Sequence, residues 1–179
     1  MNKYVFGAMA AFALAVPAVG NATTFPVGSS HFFLTSGTPF SPSITATFFN
    51  GFDTTTTFDD SFTFTIPQNG IGSGSISTSF SATDSNKLTI TNLFVNGISY
   101  ALTTAASGQS ATVGNIPISL GMLNTIRVTG FTQGSGVYSG TATFATLPVP
   151  EPASWAMMII GFGIVGVAFR RRSTEVAFS

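Results

Sequence analysis

The sequence predicts an all-β fold, an antiparallel β-sandwich of jelly-roll-like type, with an apolar segment at each end of the chain. Three observations carry this. Between Thr23 and Pro148, short segments rich in Val, Ile, Thr and Phe alternate at period two, with Gly, Pro and Asn clusters about every ten residues. No stretch of that region keeps a helical period. The chain has 19 Phe against one Trp and three Tyr, and no Cys, so stability must come from an aromatic core and a hydrogen-bonded sheet rather than from disulfides. A small closed barrel is the alternative; the sandwich is preferred.

Taken in order, Thr23 to Val27 reads as a loose N-terminus and His31 to Leu34 as a first strand. Thr38-Pro39-Phe40-Ser41-Pro42 is a turn, because its prolines remove donors and fix φ. Ser43 to Phe49 alternates as a strand, and Asn50-Gly51 is a turn signal. Thr54 to Thr57 reads as a loop. Phe58, Phe62, Phe64 and Ile66 share one face of the next strand, with Thr63 and Thr65 opposite. Pro67 to Gly70 ends it. Gly74 to Ala82 alternates again, with Ile76, Phe80 and Ala82 against serines, and Asp84 to Asn86 turns the chain. Leu88 to Val95 and Ile98 to Leu102, joined by Asn96-Gly97, form the clearest hairpin. Gln109 to Val113, Asn124 to Phe131 and Gly136 to Ala145 are the remaining strands. No repeat of fixed period appears.

Charge excludes several function classes. Residues 23–149 carry Lys87 and Arg127 against Asp53, Asp59, Asp60 and Asp84, a net charge of about −2. So few cations cannot neutralise a run of phosphates, which argues against nucleic-acid binding. A surface of Thr, Ser, Asn and Gly also has little electrostatic repulsion between copies, which favours packing into a matrix. The positive mean hydropathy, +0.44, comes largely from the two ends.

At the N-terminus, Lys3 supplies a positive region, Tyr4 to Val19 an apolar run, and Gly20-Asn21-Ala22 a small-residue cleavage site. This predicts a signal peptide over 1–22, with cleavage after Gly20 or Ala18 as alternatives. It implies the Sec translocon and signal peptidase as partners. At the C-terminus, Pro150-Glu151-Pro152 precedes 17 uncharged residues, Ala153 to Phe169, with Trp155 near their start and Arg170-Arg171-Arg172 after them. The expectation is a single transmembrane helix over 153–169. Trp155 would sit at one interface, and the arginines would be retained on the cytoplasmic side. The predicted domains are thus 1–22, a secreted sandwich over 23–147, and a terminal signal over 148–179.

This C-terminal series resembles the PEP-CTERM sorting signal of Gram-negative bacteria, in the variant whose helix begins Trp155-Ala156-Met157-Met158-Ile159 and continues Gly161-Phe162-Gly163. The resemblance implies recognition by an exosortase, a multi-pass membrane cysteine protease or transpeptidase. Pro150, Glu151 and Pro152 would be the recognised residues, Trp155, Gly161, Phe162 and Gly163 part of the anchor, and Arg170 to Arg172 the stop. It further implies a periplasmic domain held at the inner membrane, then delivery to the cell surface or matrix, in association with extracellular polysaccharide or biofilm. The continuation through Ser173 to Ser179 departs from the family, which often ends at the basic cluster.

Phe58-Asp59-Asp60-Ser61-Phe62 is also similar to the Phe-x-Asp-x-Phe motif that names a family of PEP-CTERM proteins of unknown activity, with Phe58, Asp60 and Phe62 at the motif positions. On one strand face, Asp60 would lie between two buried phenylalanines and need a partner: backbone N–H groups, Lys87, Arg127 or a cation. The simpler reading has Asp60 capping a turn or the start of a strand. Ca²⁺ held by Asp53, Asp59 and Asp60 is the metal alternative, although the regular Asp-rich loop spacing is absent. Catalysis is not expected. His31 stands alone, no Gly-x-Ser-x-Gly elbow occurs, and adjacent Asp59 and Asp60 on a strand point to opposite faces. Tyr100 and Tyr138 are the candidates for a sugar platform in an adhesion module. No cofactor is implied.

Overall fold

The computed structural model describes residues 21–80, 87–147 and 152–172. The signal peptide up to residue 20, Ala82, the 84–86 turn with Asp84, Pro150, Glu151 and the tail from 173 lie outside the described residues. The chain divides into two compact units, one ending at Thr146 and one beginning at Leu147.

The first unit is a two-sheet sandwich. One sheet orders β1 (Asn21–Pro26), β4 (Thr56–Thr65), β10 (Leu123–Thr132), β6 (Leu88–Val95) and β7 (Ile98–Tyr100). The other orders β2 (Phe32–Ser36), β3 (Ser43–Phe52), β11 (Gly136–Thr146), β5 (Gly70–Ser79), β9 (Gly108–Ile118) and β8 (Thr103–Ala105). The chain changes sheet at most connections, and the last strand, β11, lies inside its sheet between β3 and β5.

Alternation decides which side chains enter the core. Along β4, Phe58, Asp60 and Phe62 are buried while Asp59 and Ser61 are not. Phe62 has no exposure; it stacks on Phe25, tilts against Phe48 and meets Phe32 and Tyr138 edge to face, with ring centroids 5.0 to 6.3 Å apart. The outer faces are joined by hydroxyl ladders instead: Ser73–Thr143 at 2.6 Å, Ser75–Thr141 at 3.1 Å and Thr91–Thr129 at 3.2 Å.

Several expectations are corrected. Residues 21–26 are a strand, and it runs parallel to β4, so the sheet is not purely antiparallel. Asn50-Gly51 is no turn: both pair within β3, opposite Tyr138 and Val137. The turn lies after Phe52, and Thr56 and Thr57 already belong to β4. Strand β9 runs longer than the alternation suggests, because a bulge lets it change phase; β5 keeps one phase throughout and begins earlier than expected, at Gly70. The register shifts between Gly72 and Gly74, opposite Asn115 with φ 56°. Strand β8 carries no legible pattern.

Residues Pro152–Arg172 form α1, opened by proline at its first position, where a missing N–H costs nothing. Every side chain from 154 to 170 is exposed. No helix among the described residues is long and apolar enough to cross a membrane, which corrects the transmembrane helix expected over 153–169. The physical reason is length: 17 charge-free residues rise about 25 Å, against about 30 Å of hydrocarbon core.

A cavity of about 100 Å³ is lined by residues of both sheets, among them Phe64, Ile118, Ile126 and Phe144, where Gly72 and Gly74 leave β5 without side chains. A Cβ at Gly72 would lie 3.3 Å from the Ile118 side chain, which borders this space. At Gly140 it would strike the Phe48 ring and the Ser75 carbonyl. We expect Gly72→Ala to stay within about 1 kcal/mol of wild type, with the smaller unfolded-state entropy in its favour. Gly140→Ala should lose about 1–3 kcal/mol or more through overpacking. Urea midpoints of the two variants check this, and equal losses would refute the assignment of free space.

Candidate functional site

The Phe58, Asp60 and Phe62 side chains share the inner face of β4, and Asp60 is 1% exposed. The partner it requires comes from the other sheet. Tyr138 on β11 donates its phenol to Asp60 Oδ2 at 2.6 Å, and Asn50 on β3 donates Nδ2 to the same oxygen at 2.9 Å. Asn50 and Tyr138 face each other in register. Asn50 Oδ1 accepts the Gly51 N–H at 2.9 Å, which orients the amide so that its donor faces Asp60. Phe58 stacks on the Tyr138 ring at 5.5 Å and on Phe52 at 4.8 Å. The motif is therefore a polar clasp between sheets, sealed by aromatic rings.

Burial pushes the Asp60 carboxyl above its ordinary value of 3.8, against the bonds from Tyr138 and Asn50; the Asp59 charge adds to the rise and His31 opposes it. Burial, with the Asp60 charge and hydrogen bond, drives the Tyr138 phenol far above its usual range, so it remains a donor. Asp59 points outward and accepts two bonds from Arg127, at 2.7 and 2.6 Å. The Arg127 guanidinium holds the Asp59 carboxyl below 3.8.

The expected turn-capping role of Asp60 is thus corrected: it lies within a strand, and tertiary bonds hold it. Of the cations considered as partners, Arg127 binds Asp59, and Lys87 Nζ lies over the Phe80 ring at 4.4 Å. Asp53 lies in the turn between β3 and β4, and Asp59 and Asp60 face opposite ways, so the three do not converge. Among the described residues no group of three His, Asp or Glu could hold a metal. His31 bonds Ser30 and packs between Phe25 and Phe49. Tyr138, a candidate sugar platform, is fully buried; Tyr100 is half-buried.

Sequence reasoning missed Asn50 and Tyr138 as partners of Asp60. The signal available was phase: both fall on inward positions of their strands. A second cross-sheet link escaped as well. The buried Gln109 amide accepts the Ile90 N–H at 2.7 Å and donates to the Ile90 carbonyl at 3.1 Å, completing backbone bonds of β6 from β9.

At the other end, Pro152 opens α1, and Trp155, Gly161, Phe162, Gly163 and Arg170 lie along it, exposed; Arg171 and Arg172 are its last residues. Comparison with known families matches residues 148–172 to the PEP-CTERM protein-sorting motif. No curated protein and no solved structure matches the chain. The chain carries a PEP-CTERM sorting motif, which marks an exported protein of the cell envelope targeted to an exosortase.

The clasp makes a signed prediction. Because the folded pKa of Asp60 is raised, its contribution to stability is greatest below 3.8 and declines as pH rises toward the folded value. The contribution of Asp59 is present above 3.8 and is lost as pH falls toward its lowered folded value. Tyr138→Phe should cost about 1–3 kcal/mol at neutral pH, and less as pH falls, since the lost donor serves the ionised carboxylate. Urea unfolding of both proteins at neutral and acidic pH measures this. An equal loss at both would mean that Tyr138 only fills space.

Proposed function

We propose that this chain is a non-catalytic surface or matrix protein. It is exported by a signal peptide, held at the inner membrane with its sandwich in the periplasm, and handed to an exosortase. That enzyme acts at the C-terminal signal before delivery to the surface or matrix of a Gram-negative cell. The observation that carries this reading is the ordered series Pro150-Glu151-Pro152, apolar helix and Arg170 to Arg172 within the matched motif. Pro150, Glu151 and Pro152 are the residues the enzyme reads, and the apolar α1, with Trp155 and Gly161-Phe162-Gly163, is what it grips at the membrane. The interior position of Asp60 supports a structural role for the Phe-x-Asp-x-Phe element. A hydroxyl-rich outer surface with few charges suits packing beside extracellular polysaccharide.

The N-terminal boundary can be refined on the same footing. Asn21 and Ala22 pair with Phe58 and Asp59 in β1. Cleavage after Ala22 would remove both pairs; cleavage after Gly20 leaves β1 whole, and the pairing favours that site.

The test is intact mass of the mature protein from its host, beside the same host lacking exosortase. The wild-type mass should begin near Asn21 and end near Pro150, and the mutant should retain α1. Retention of Trp155 to Arg172 in both hosts would overturn the sorting reading.

A further inference from the structure

Most of the exposed large apolar side chains of the sandwich gather at one end, apart from Phe33 and Leu34 on the edge strand β2 and Val137. Strand register puts the turns 37–42, 66–69, 96–97 and 119–122 at one end, together with Thr146, where β11 finishes. Phe40, Ile98, Leu120, Met122 and Leu123 all lie at that end, between 60% and 76% exposed. The opposite end holds Asp53 and Lys87, with Val137 as its exposed apolar residue. The four turns of the apolar end contain no charged residue.

Two of the apolar tips are mounted rigidly, from the one loop between them. Gln68 donates to the carbonyls of Pro39 and Ser41 at 3.0 and 3.1 Å, and Ser41 closes the Phe40 turn through its bonds with Thr38. Asn69 accepts the Leu120 N–H at 2.8 Å, and the Ile66 carbonyl accepts that of Gly121 at 2.9 Å. The polar side chains here satisfy backbone, while the apolar ones are left facing out. Such side-chain bonds to backbone are common in turns; the cluster of exposed apolar tips they hold in place is what points to an apolar surrounding.

The chain supplies the surrounding. Four residues, 148–151, separate Leu147 from α1. They span at most about 18 Å, whereas a ten-residue strand is about 33 Å long. Once α1 is delivered to a membrane, the apolar end is tethered within reach of the lipid, and the sandwich cannot stand on its charged end. We propose that the tips carrying Phe40 and Leu120-Gly121-Met122 form a membrane-docking surface. They insert their side chains into the lipid interface. This rests on the sorting reading given above. With no cation at the surface, docking depends on apolar partition rather than on anionic headgroups.

The absence of cysteine and the single Trp make the test clean. The full chain is placed in phosphatidylethanolamine–phosphatidylglycerol vesicles that contain a nitroxide lipid. A single environment-sensitive label is introduced at Ser119→Cys or, at the opposite end, at Ser135→Cys. The label at 119 should be quenched severalfold more than that at 135, at low and at high salt alike. Adding Phe40→Ser and Leu120→Ser should remove the difference. Trp155 reports α1 independently. Quenching of Trp155 without quenching at 119 overturns the docking surface and leaves the sorting reading standing. An unquenched Trp155 overturns the membrane premise itself. Self-quenching between labels at 119 in place of lipid quenching would assign the surface to contact between copies, and would also overturn the proposal.

Discussion

A carboxyl group in a phenylalanine core is the constraint around which this sandwich is organised. Removing Asp60 from water costs several kcal/mol unless donors meet it, and its donors come from two strands of the opposite sheet. The bonds exist only when β3, β4 and β11 are aligned together. A slip of one residue in β4 would turn Asp60 outward and Asp59 inward, breaking the clasp and the Arg127 pair at once. The clasp thus selects one register among alternatives that would bury similar apolar area.

Much of the fold could be read from period-two alternation, since Phe58 and Phe62 on β4, or Leu88 and Ile90 on β6, leave no other face for the core. The misread strands share one cause. Asn50-Gly51 is a turn signal by local chemistry, but the Asn50 side chain is used across the core, and tertiary bonding outweighs the local preference. Strand β1 has little β character of its own, and it becomes a strand because β4 offers an open edge. The Phe-x-Asp-x-Phe face was legible, but its partners were not: Tyr138 is 78 residues away from Asp60, and no local pattern links them. The apolar tips were hidden for a different reason, because Phe40 and Leu120 look like ordinary turn residues until register brings their loops to one end.

The molecule also separates its polar resources by location. Inside, single side chains such as Gln109 and Asp60 tie the sheets together. Outside, hydroxyl pairs join neighbouring strands, and these bonds, unlike the Asp59–Arg127 pair, are insensitive to screening. The turns at one end carry no charge, and the sorting signal follows in the chain from that end.

The place of β11 in its sheet bears on the order of events during export. A chain that crosses a membrane N-terminus first delivers β11 after every other strand, yet β11 lies between β3 and β5 and brings Tyr138 to Asp60. Until then β3 and β5 have no common neighbour and the interior stays open. Closure therefore waits for Thr146, and the apolar helix begins only six residues later, at Pro152. Folding of the sandwich and capture of the helix are thereby compressed into one short interval, in which a folded domain would itself prevent the chain from sliding back.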